Sequence, residues 1–446
     1  MITRAGETRA SPALAVQDLV RYDDGVVSAR VFSDPDVYQL EIERLFPRTW
    51  LFVAHESEIP NPGDFVTRHM GADPVIVSRD ADGKVHVLLN VCRHRGRKVC
   101  TEDAGATTHF RCGYHGWTYN SAGELTGLPF ADAYQGRLDK TQLGLCEAPQ
   151  IDTFHGLIFA CWQPSVSLRD FLGPMTWVLD MMFGRTDAVD VAGPPIRWHA
   201  DANWKLGASN FVGDGHHIFT THGFSTQLGL HGLKPAGSTG QPVGHSLAMS
   251  NGHGASLVSA PSGSGEAPYM ALPQELLPEL ERNLDDFQRQ VFEPLVVVAG
   301  NVFPNLSFLE TSGHTPQEWG GPDQPISFLT LRQWQPTGPQ TMEGWSWAFI
   351  DRNAPDEWKL LSRQCYERVF GVSGTFEQDD LENWGQITAG TSGPRGSQLW
   401  LQYKMGLDLE PTQDWLGPGT CYSARPPFFD ILERLFFQQW VENISG

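Results

Sequence analysis

Long apolar runs are missing from this chain of 446 residues, because no stretch approaches the ~18 consecutive apolar residues of a membrane-spanning helix. The segment from Met1 to Gln17 also lacks the charged start, apolar centre and cleavage site of a secretory signal. Basic residues are scarce: 32 Lys and Arg against 52 Asp and Glu give a net charge of -20, which argues against nucleic acids and anionic membranes as partners. We therefore expect a cytoplasmic protein that binds neither a membrane nor a nucleic acid.

Cysteines are few, and two common nucleotide-binding motifs are absent. Seven cysteines in a chain of this length do not form a disulfide scaffold, and an odd number cannot all pair within the chain. Two of them lie in metal-binding motifs, and we expect the other five to be buried thiols. The sequence contains neither G-x-G-x-x-G nor G-x-x-x-x-G-K-S/T. A nicotinamide cofactor would therefore have to act through a separate protein.

Two short motifs, C-R-H-R-G starting at Cys92 and C-G-Y-H-G-W starting at Cys112, contain two thiols and two imidazoles, with 17 residues between His94 and Cys112. A Rieske [2Fe-2S] cluster needs this set, because two Cys bind one iron and two His bind the other. A structural zinc ion could use the same side chains, but zinc fingers group the two Cys together and the two His together. The pairing of each Cys with its own His favours the cluster, with Cys92, His94, Cys112 and His115 as its ligands.

A basic run lies beside the first of these motifs, at Arg93, Arg95, Arg97 and Lys98. It is either a solvated loop or a docking surface for an acidic electron donor, and the sequence leaves both interpretations open.

The hydrophobic pattern indicates an α+β protein. Residues 18–50 indicate an extended segment and then a helix, with Ser33-Asp34-Pro35 as its start, and 47–165 show short alternating runs typical of a small all-β domain. Beyond this, helical patterns at 274–293 and 355–370 alternate with strand patterns at 326–334 and 344–350. The stretch 234–268 is rich in Gly, Ser and Pro, which predicts a mobile loop near a site. We expect the all-β domain to be inserted in a larger domain, formed by 1–46 and 166–446, with an antiparallel sheet flanked by helices.

A second group of imidazoles lies in the stretch 210–222, which reads N-F-V-G-D-G-H-H-I-F-T-T-H. Two His and one carboxylate on one face of a metal form the non-haem ferrous triad, which leaves open positions for oxygen and substrate. His217 and His222 are the candidates, but residues five apart on an ideal helix point about 140° away from each other, so the helix must be distorted or end before His222. A buried, hydrogen-bonded core histidine is the simpler alternative for either residue. We expect the adjacent His216 not to be a ligand.

The best source of the carboxylate is the acidic segment 374–384, which reads G-T-F-E-Q-D-D-L-E-N-W. Four acids within six residues usually form a solvated helix start, and only the two preceding motifs give this segment a different interpretation.

The motifs C-x-H, C-x-x-H, N-F-V-G-D-x-x-H-x4-H and F-E-Q-D-D-x-E-N-W, in this order, resemble the large (α) subunits of Rieske non-haem iron aromatic-ring-hydroxylating dioxygenases, and among them the naphthalene and polycyclic-hydrocarbon group. The similarity extends from about residue 30 to near the C-terminus. By resemblance, His217, His222 and Asp380 hold the mononuclear iron. Asp214 matches the acid that in the family bridges an iron-ligand histidine, here His217, to the Rieske histidine of a neighbouring subunit, here His115. The alternative for Asp214 is a helix-capping role.

The resemblance also implies partners and a reaction. It implies a trimer of α chains, usually with a small β subunit as α3β3, and electrons that reach the chain from NADH through a reductase and a ferredoxin. The reaction adds both atoms of O2 to one face of an aromatic ring and gives a cis-dihydrodiol. We expect Asn210 to offer a hydrogen-bonding group beside the iron and four apolar residues to contact the substrate: Phe211, Leu309, Phe370 and Phe376.

Several alternatives stay open. A neutral aromatic hydrocarbon is favoured as substrate because no Arg or Lys lies within the site motifs, but Arg332 or Arg368 could reach the pocket and bind an aromatic acid such as phthalate. A Rieske monooxygenase or demethylase would share both metal sites, although that group generally lacks the F-E-Q-D-D form and the small partner. A Rieske ferredoxin would need only residues 47–165, and a binding protein with a metal staple is the remaining possibility.

Overall fold

The computed structural model of the chain describes residues 15–224, 243–260, 267–314, 325–371, 373–424 and 429–445. The first part of the chain forms small sheets in which every pairing is antiparallel. Its strands are β1 (Val20–Arg21), β2 (Val26–Ser28), β3 (Leu51–His55), β4 (Asp64–Met70), β5 (Asp73–Arg79), β6 (Val85–Leu89), β7 (Ala104–Ala106), β8 (His109–Arg111), β9 (Thr118–Asn120), β10 (Leu125–Gly127), β11 (Gln150–Phe154) and β12 (Leu157–Cys161). This confirms the predicted all-β character of the region.

Both cysteine motifs lie on loops of this region. The four-stranded sheet β6-β5-β4-β7 and the three-stranded sheet β10-β9-β8 have a core of their own, which includes Phe65, Leu88, Phe110 and both motif cysteines. The third sheet, β11-β12-β3, packs differently. Phe52 from β3 and several residues from β12 belong to the hydrophobic core of the large sheet that the second part of the chain forms. The small sheets therefore hold the two loops, while β3 and β12 attach them to the rest of the protein. The boundaries at 47 and 165 stay a prediction.

The second part of the chain forms one nine-stranded antiparallel sheet, counted over the described ranges. The strand order is β13-β20-β19-β18-β17-β16-β15-β22, and β14 also pairs with β20. The strands are β13 (Val189–Val191), β14 (Ile196–Ala200), β15 (Val243–Ala248), β16 (Gly254–Ser259), β17 (Leu295–Val302), β18 (Leu306–His314), β19 (Pro325–Gly338), β20 (Thr341–Asp351), β21 (Trp400–Gln402) and β22 (Thr420–Ala424), of which β21 pairs with β2 instead. The strand patterns at 326–334 and 344–350 are thus confirmed as the adjacent strands β19 and β20.

Helices flank this sheet and complete the predicted α+β architecture. They are α1 (Pro35–Leu40), α2 (Leu168–Leu172), α3 (Met175–Leu179), α4 (Trp204–Gly213), α5 (Leu277–Asn283), α6 (Asp286–Phe292), α7 (Asp356–Phe370), α8 (Thr375–Ser392) and α9 (Ile431–Ser445). None of these described helices has the combined length and apolarity that crossing a membrane requires.

Two expectations about local structure need correction. The helical pattern at 274–293 is interrupted, because Asp285 caps the start of α6 with its side chain and ends the continuity with α5. The predicted loop 234–268 is wrong where the structure describes it, because β15 and β16 form a hairpin in the large sheet with Val243 opposite Ser259. The remainder of that predicted loop, 234–242 and 261–266, lies outside the described residues. Both strands contain Gly and Ala, which are depleted in β-strands, so the sequence of this hairpin does not show a clear period-2 pattern.

The first helix begins as predicted, with the Asp34 side chain accepting a hydrogen bond from the Asp36 N–H and Pro35 at the first helical position. A π-helical turn, Glu41–Leu45, follows it, and Glu41 is fully buried in this turn although it carries a charge. Its carboxylate lies 2.5 Å from Lys205 Nζ on α4 and accepts hydrogen bonds from the indole N–H groups of Trp204 and Trp440 at 2.9 and 2.8 Å. Burial lowers the pKa of Lys205, and the Glu41 charge opposes that effect. This buried pair joins the N-terminal segment to α4, which carries part of the site.

Replacing Glu41 with alanine should lower the free energy of unfolding by about 3–5 kcal/mol, because it leaves the buried Lys205 ammonium without its counter-charge. The measurement is chemical denaturation of the holoprotein followed by circular dichroism. Glu43→Ala is the matched control, because Glu43 is exposed two residues further on and should change stability by less than about 0.5 kcal/mol. Equal effects of the two substitutions would contradict the role of the buried pair.

Candidate metal centres

The two cysteine loops have the same backbone architecture, although their histidines stand at different positions. The N–H of Gly96 donates to the carbonyl of Cys92 at 2.9 Å, and the N–H of Gly116 donates to the carbonyl of Cys112 at 3.0 Å. In each loop the cysteine N–H in turn donates to the carbonyl five residues further along, at 2.9 and 2.8 Å. Both glycines have positive φ values, 76° and 73°, which residues other than glycine rarely adopt. The two loops therefore share one backbone frame around Cys92 and Cys112.

The four side chains fit a Rieske cluster. Cys92 and Cys112 are each 2% exposed, and the rings of His94 and His115 lie with centroids 4.4 Å apart. The Nδ1 atom of His94 is buried without a hydrogen-bond partner, as expected of an atom whose partner is a metal. Burial raises the pKa of Cys112, but hydrogen bonds, including one from the Tyr114 N–H, outweigh burial and lower it, which favours the thiolate that binds iron.

The histidine end of these loops lies at the protein surface. His94 and His115 are half-buried, whereas Tyr114 beside them is 60% exposed. The basic run is exposed as well, as both interpretations of it require. Cys146, expected to be buried, is exposed, and its sulfur lies 3.5 Å from Nη1 of Arg93. The donor set thus has a buried cysteine end and an accessible histidine end.

The second centre is built by the end of α4, the turn after it and helix α8. Helix α4 ends at Gly213, a 3-10 turn covers His216–Phe219, and His222 lies in the following turn. The break in the helix resolves the five-residue spacing, because His217 and His222 do not share one regular helix. On α8, Glu377, Asp380 and Trp384 are buried at i, i+3 and i+7, whereas Gln378 and Glu382 are exposed. The acidic segment therefore directs one face into the protein rather than forming a solvated surface.

His217, His222 and Asp380 converge on one point. One ligand atom from each lies within 4.8 Å of the others. Oδ1 of Asp380 is 3.6 Å from Nε2 of His217 and 3.2 Å from Nε2 of His222. Ligand atoms about 2.1 Å from a metal and at right angles to each other would lie about 3 Å apart. The donor set and its spacing therefore fit a two-histidine, one-carboxylate metal site.

The electrostatics around His217 favour a positive charge. Burial by itself would lower the pKa of His217, but a hydrogen bond to Asp214 and the charge of Asp380 raise it to about 9. Nδ1 of His217 contacts both the backbone carbonyl and, at 3.5 Å, the Oδ1 of Asp214, so its Nε2 is the atom directed toward Asp380. The pKa of Asp214 is lowered, because the two neighbouring histidines outweigh the effect of burial. A bound cation would be stabilised by the same negative surroundings.

His216 points differently from His217. Its side chain is 48% exposed, and its Nδ1 lies 3.2 Å from Oδ1 of Asp214. We expect His216→Ala to retain the full iron content and at least half of the turnover, because this imidazole does not face Asp380. Metal analysis by mass spectrometry checks this, and loss of about one iron per chain would show that His216 is a ligand.

An apolar cavity of about 100 Å³ lies next to the second centre. All five predicted pocket residues line it: Asn210, Phe211, Leu309, Phe370 and Phe376. Phe376 also stacks on the His222 ring at a centroid distance of 4.2 Å. The structure brings these residues together with His217, His222 and Asp380, and their contact with substrate stays a prediction.

The sheet wall of the cavity could not be read from the sequence. Two cross-strand rows form it, because strand register aligns one residue from each neighbouring strand. The first row is Ser256, Ala299 and Leu309, and the second is Val258, Val297, Thr311 and Phe328. Of these only Leu309 was predicted, since alternation along a strand marks a face but not the partner across it.

The two arginines considered for the pocket have different positions. Arg368, on α7, lines the cavity. Arg332, on β19, is fully buried behind it, with its guanidinium over the Phe370 ring at 4.0 Å and Nη1 3.1 Å from the carboxylate of Glu377. Burial, only partly opposed by Arg332, raises the pKa of Glu377 to about 7. This pair, which sequence reasoning missed, holds α8 one turn before Asp380.

Two protein families match the chain. A Rieske [2Fe-2S] domain matches residues 49–145, and a ring hydroxylating alpha subunit (catalytic domain) matches residues 189–443. Among curated proteins, the N,N-dimethyl phenylurea N-demethylase subunit alpha of Sphingobium is 37% identical, covering 95% of this chain and 92% of that protein. The chlorobenzene dioxygenase subunit alpha of Cupriavidus is 34% identical with the same coverage.

A solved structure agrees with both matches. The crystal structure of naphthalene 1,2-dioxygenase from Rhodococcus bound to indole has a TM-score of 0.90 and 40% identity, covering 96% of each chain.

Proposed function

Because the chain belongs to the ring-hydroxylating oxygenase alpha subunits, which join a Rieske domain to a catalytic domain, we propose that it adds both atoms of O2 to an aromatic ring and gives a cis-dihydrodiol. The observation that carries this proposal is the apolar cavity next to His217, His222 and Asp380. An arene, O2, two electrons and two protons balance the product. An aromatic hydrocarbon fits the apolar walls, and Arg368 at the cavity keeps an aromatic carboxylate as an alternative substrate.

Two cofactors belong to these domains, a Rieske [2Fe-2S] cluster and a mononuclear iron. We propose that Cys92, His94, Cys112 and His115 hold the first and that the two histidines and Asp380 hold the second. When bound, the pair of cofactors supplies electron transfer and oxygen activation.

The chain's own residues position the substrate and control water. Phe211, Phe370 and Phe376 present apolar surface that orients a flat ring and excludes solvent from the site. Asn210 on α4 places an amide at the same cavity, where it can donate a hydrogen bond. The carboxylate of Asp214 holds His217 through Nδ1, which fixes that ring with Nε2 toward Asp380.

The proposed electron supply and the proposed partner subunits rest on the family resemblance. We propose that NADH supplies electrons through a separate reductase and ferredoxin, and that a small β subunit completes an α3β3 hexamer. Asp214 then links His217 to His115 of a neighbouring α chain; its side chain is 31% exposed, so a second chain can reach it. No disulfide joins any two of the seven cysteines, and this supports a reducing cytoplasm as the proposed compartment.

N-demethylation is a second candidate, because a relative with 37% identity over nearly the whole chain is named for that reaction. One oxygen atom would then enter a C–H bond of an N-methyl group, formaldehyde would leave, and the other oxygen atom would become water. The same cavity and the same donor set serve both reactions.

Product analysis separates the two candidates. The holoprotein, copurified with any partner subunit, would be supplied with NADH, a surrogate reductase and ferredoxin, and naphthalene, toluene or N,N-dimethyl phenylurea under 18O2. A diol with two labelled oxygens supports the dioxygenase, whereas formaldehyde from the phenylurea alone supports the demethylase. Absence of oxygenated products from every compound, with both metal sites filled, would overturn the proposed function.

A further inference from the structure

The wall of the cavity formed by the large sheet contains two hydroxyl groups, and their hydrogen bonding differs. Ser256 on β16 and Thr311 on β18 lie in adjacent cross-strand rows, between apolar residues of the same wall. The hydroxyl of Thr311 donates to the carbonyl of Val296 at 3.0 Å. The Oγ of Ser256 is shielded from solvent and has no hydrogen-bond partner. Among the described residues that line the cavity, Ser256 is the one with a buried hydroxyl that lacks a hydrogen-bond partner.

The position of Ser256 relative to the catalytic residues follows from its strand. Gly254, two residues earlier on β16, packs so closely on α4 that a Cβ there would lie 2.7 Å from Val212. Helix α4 also carries Asn210 and Phe211, which line the same cavity. The strand therefore passes from its contact with α4 directly to Ser256, and the Ser256 side chain lies on the cavity face with Val258.

We propose that Ser256 is a specificity-determining residue, whose hydroxyl donates a hydrogen bond to an acceptor oxygen on the substrate. Buried hydroxyls are rarely left unpaired, because the desolvation of the O–H is then not compensated. An acceptor on a bound ring compound supplies the missing partner.

This inference rests on the proposed function and narrows its substrate class. It selects neutral aromatic compounds that carry a carbonyl or amide oxygen over the parent hydrocarbons. Apolar walls still bind the ring, and the hydroxyl distinguishes compounds of equal shape. The cavity volume of about 100 Å³ is of the order of the ~150 Å³ cavity that accepts benzene, so one-ring compounds are the appropriate probes.

The test uses acetophenone and α-methylstyrene, two planar one-ring compounds of equal shape that differ by O in place of CH2. Their Kd values would be measured by calorimetry on the oxidised holoprotein, without reductant, so that no turnover occurs. The Kd of acetophenone divided by the Kd of α-methylstyrene should be roughly five- to tenfold higher in Ser256→Ala than in wild type, as expected for the loss of one neutral hydrogen bond. The Tm of Ser256→Ala should not fall, because the hydroxyl has no partner in the free protein.

Thr311→Val is the matched control, because it also removes a hydroxyl from this wall. The Thr311 hydroxyl already donates its hydrogen to the carbonyl of Val296. In this variant the ratio of Kd values should stay within about twofold of wild type. An unchanged ratio in Ser256→Ala, or an equal shift in Thr311→Val, would overturn the inference. Failure of the proposed function is recognised separately: no oxygenated product would form from any arene, whatever the two Kd values are.

Discussion

Asp380→Ala should empty the mononuclear site and abolish oxygenation while leaving the Rieske cluster intact. Asp380 is the proposed carboxylate of the triad and is 3.2 Å from His222 Nε2 and 3.6 Å from His217 Nε2. Without it two neutral imidazoles remain, which bind ferrous iron too weakly to retain it through purification. Iron content should fall from about three to about two atoms per chain, and turnover should fall at least a thousandfold. Metal analysis and the visible spectrum of the cluster measure the two effects independently.

Glu382→Gln provides the control on the same helix. Glu382 is exposed and pairs with Gln386 one turn further on, so its charge lies away from the cavity. It should keep all iron and nearly all activity, which separates the role of one carboxylate from the total charge of the acidic segment. Retention of three irons by Asp380→Ala would refute the assignment.

Sequence reasoning was most successful where ligands are close together in the chain. The two cysteine motifs place four donors on two short loops, so local spacing was enough to infer a Rieske cluster. The distant carboxylate is different: four acids lie within six residues, and only resemblance to a family selected Asp380 among them. Glu377, Asp380 and Trp384 are buried at i, i+3 and i+7 of α8, so Asp380 lies on the face of the helix that points into the protein. Helical periodicity is the signal in the sequence that indicates this buried face.

The parts that sequence reasoning missed depend on long-range register and pairing. Ser256 and Thr311 reach the cavity because β16, β17 and β18 align in one register, which no local pattern encodes. Glu41 is buried because Lys205, 164 positions later, compensates its charge. Charged residues are buried only with such partners, and the partner is not visible from the local sequence.

Asp214→Asn should leave both metal sites filled and slow electron transfer between them by about a hundredfold or more. A carboxylate can accept an N–H from each of two imidazoles, one per oxygen, whereas an amide accepts with one oxygen and donates with its nitrogen. One of the two histidines would therefore face an N–H instead of an acceptor. Within this chain Oδ1 of Asp214 lies 3.5 Å from Nδ1 of His217 and 3.2 Å from Nδ1 of the exposed His216, and the partner from a neighbouring subunit is proposed to be His115.

Rapid-mixing spectroscopy tests the substitution directly. The reduced holoprotein would be mixed with O2 and an arene, and reoxidation of the cluster followed by its visible absorbance. In wild type the cluster should reoxidise together with product formation, whereas in Asp214→Asn it should stay reduced although metal analysis finds all the iron. His216→Ala controls for disturbance of the turn, because His216 also lies close to Asp214 at 3.2 Å but does not face Asp380. Normal reoxidation in Asp214→Asn would show that electrons take a path that does not need this carboxylate.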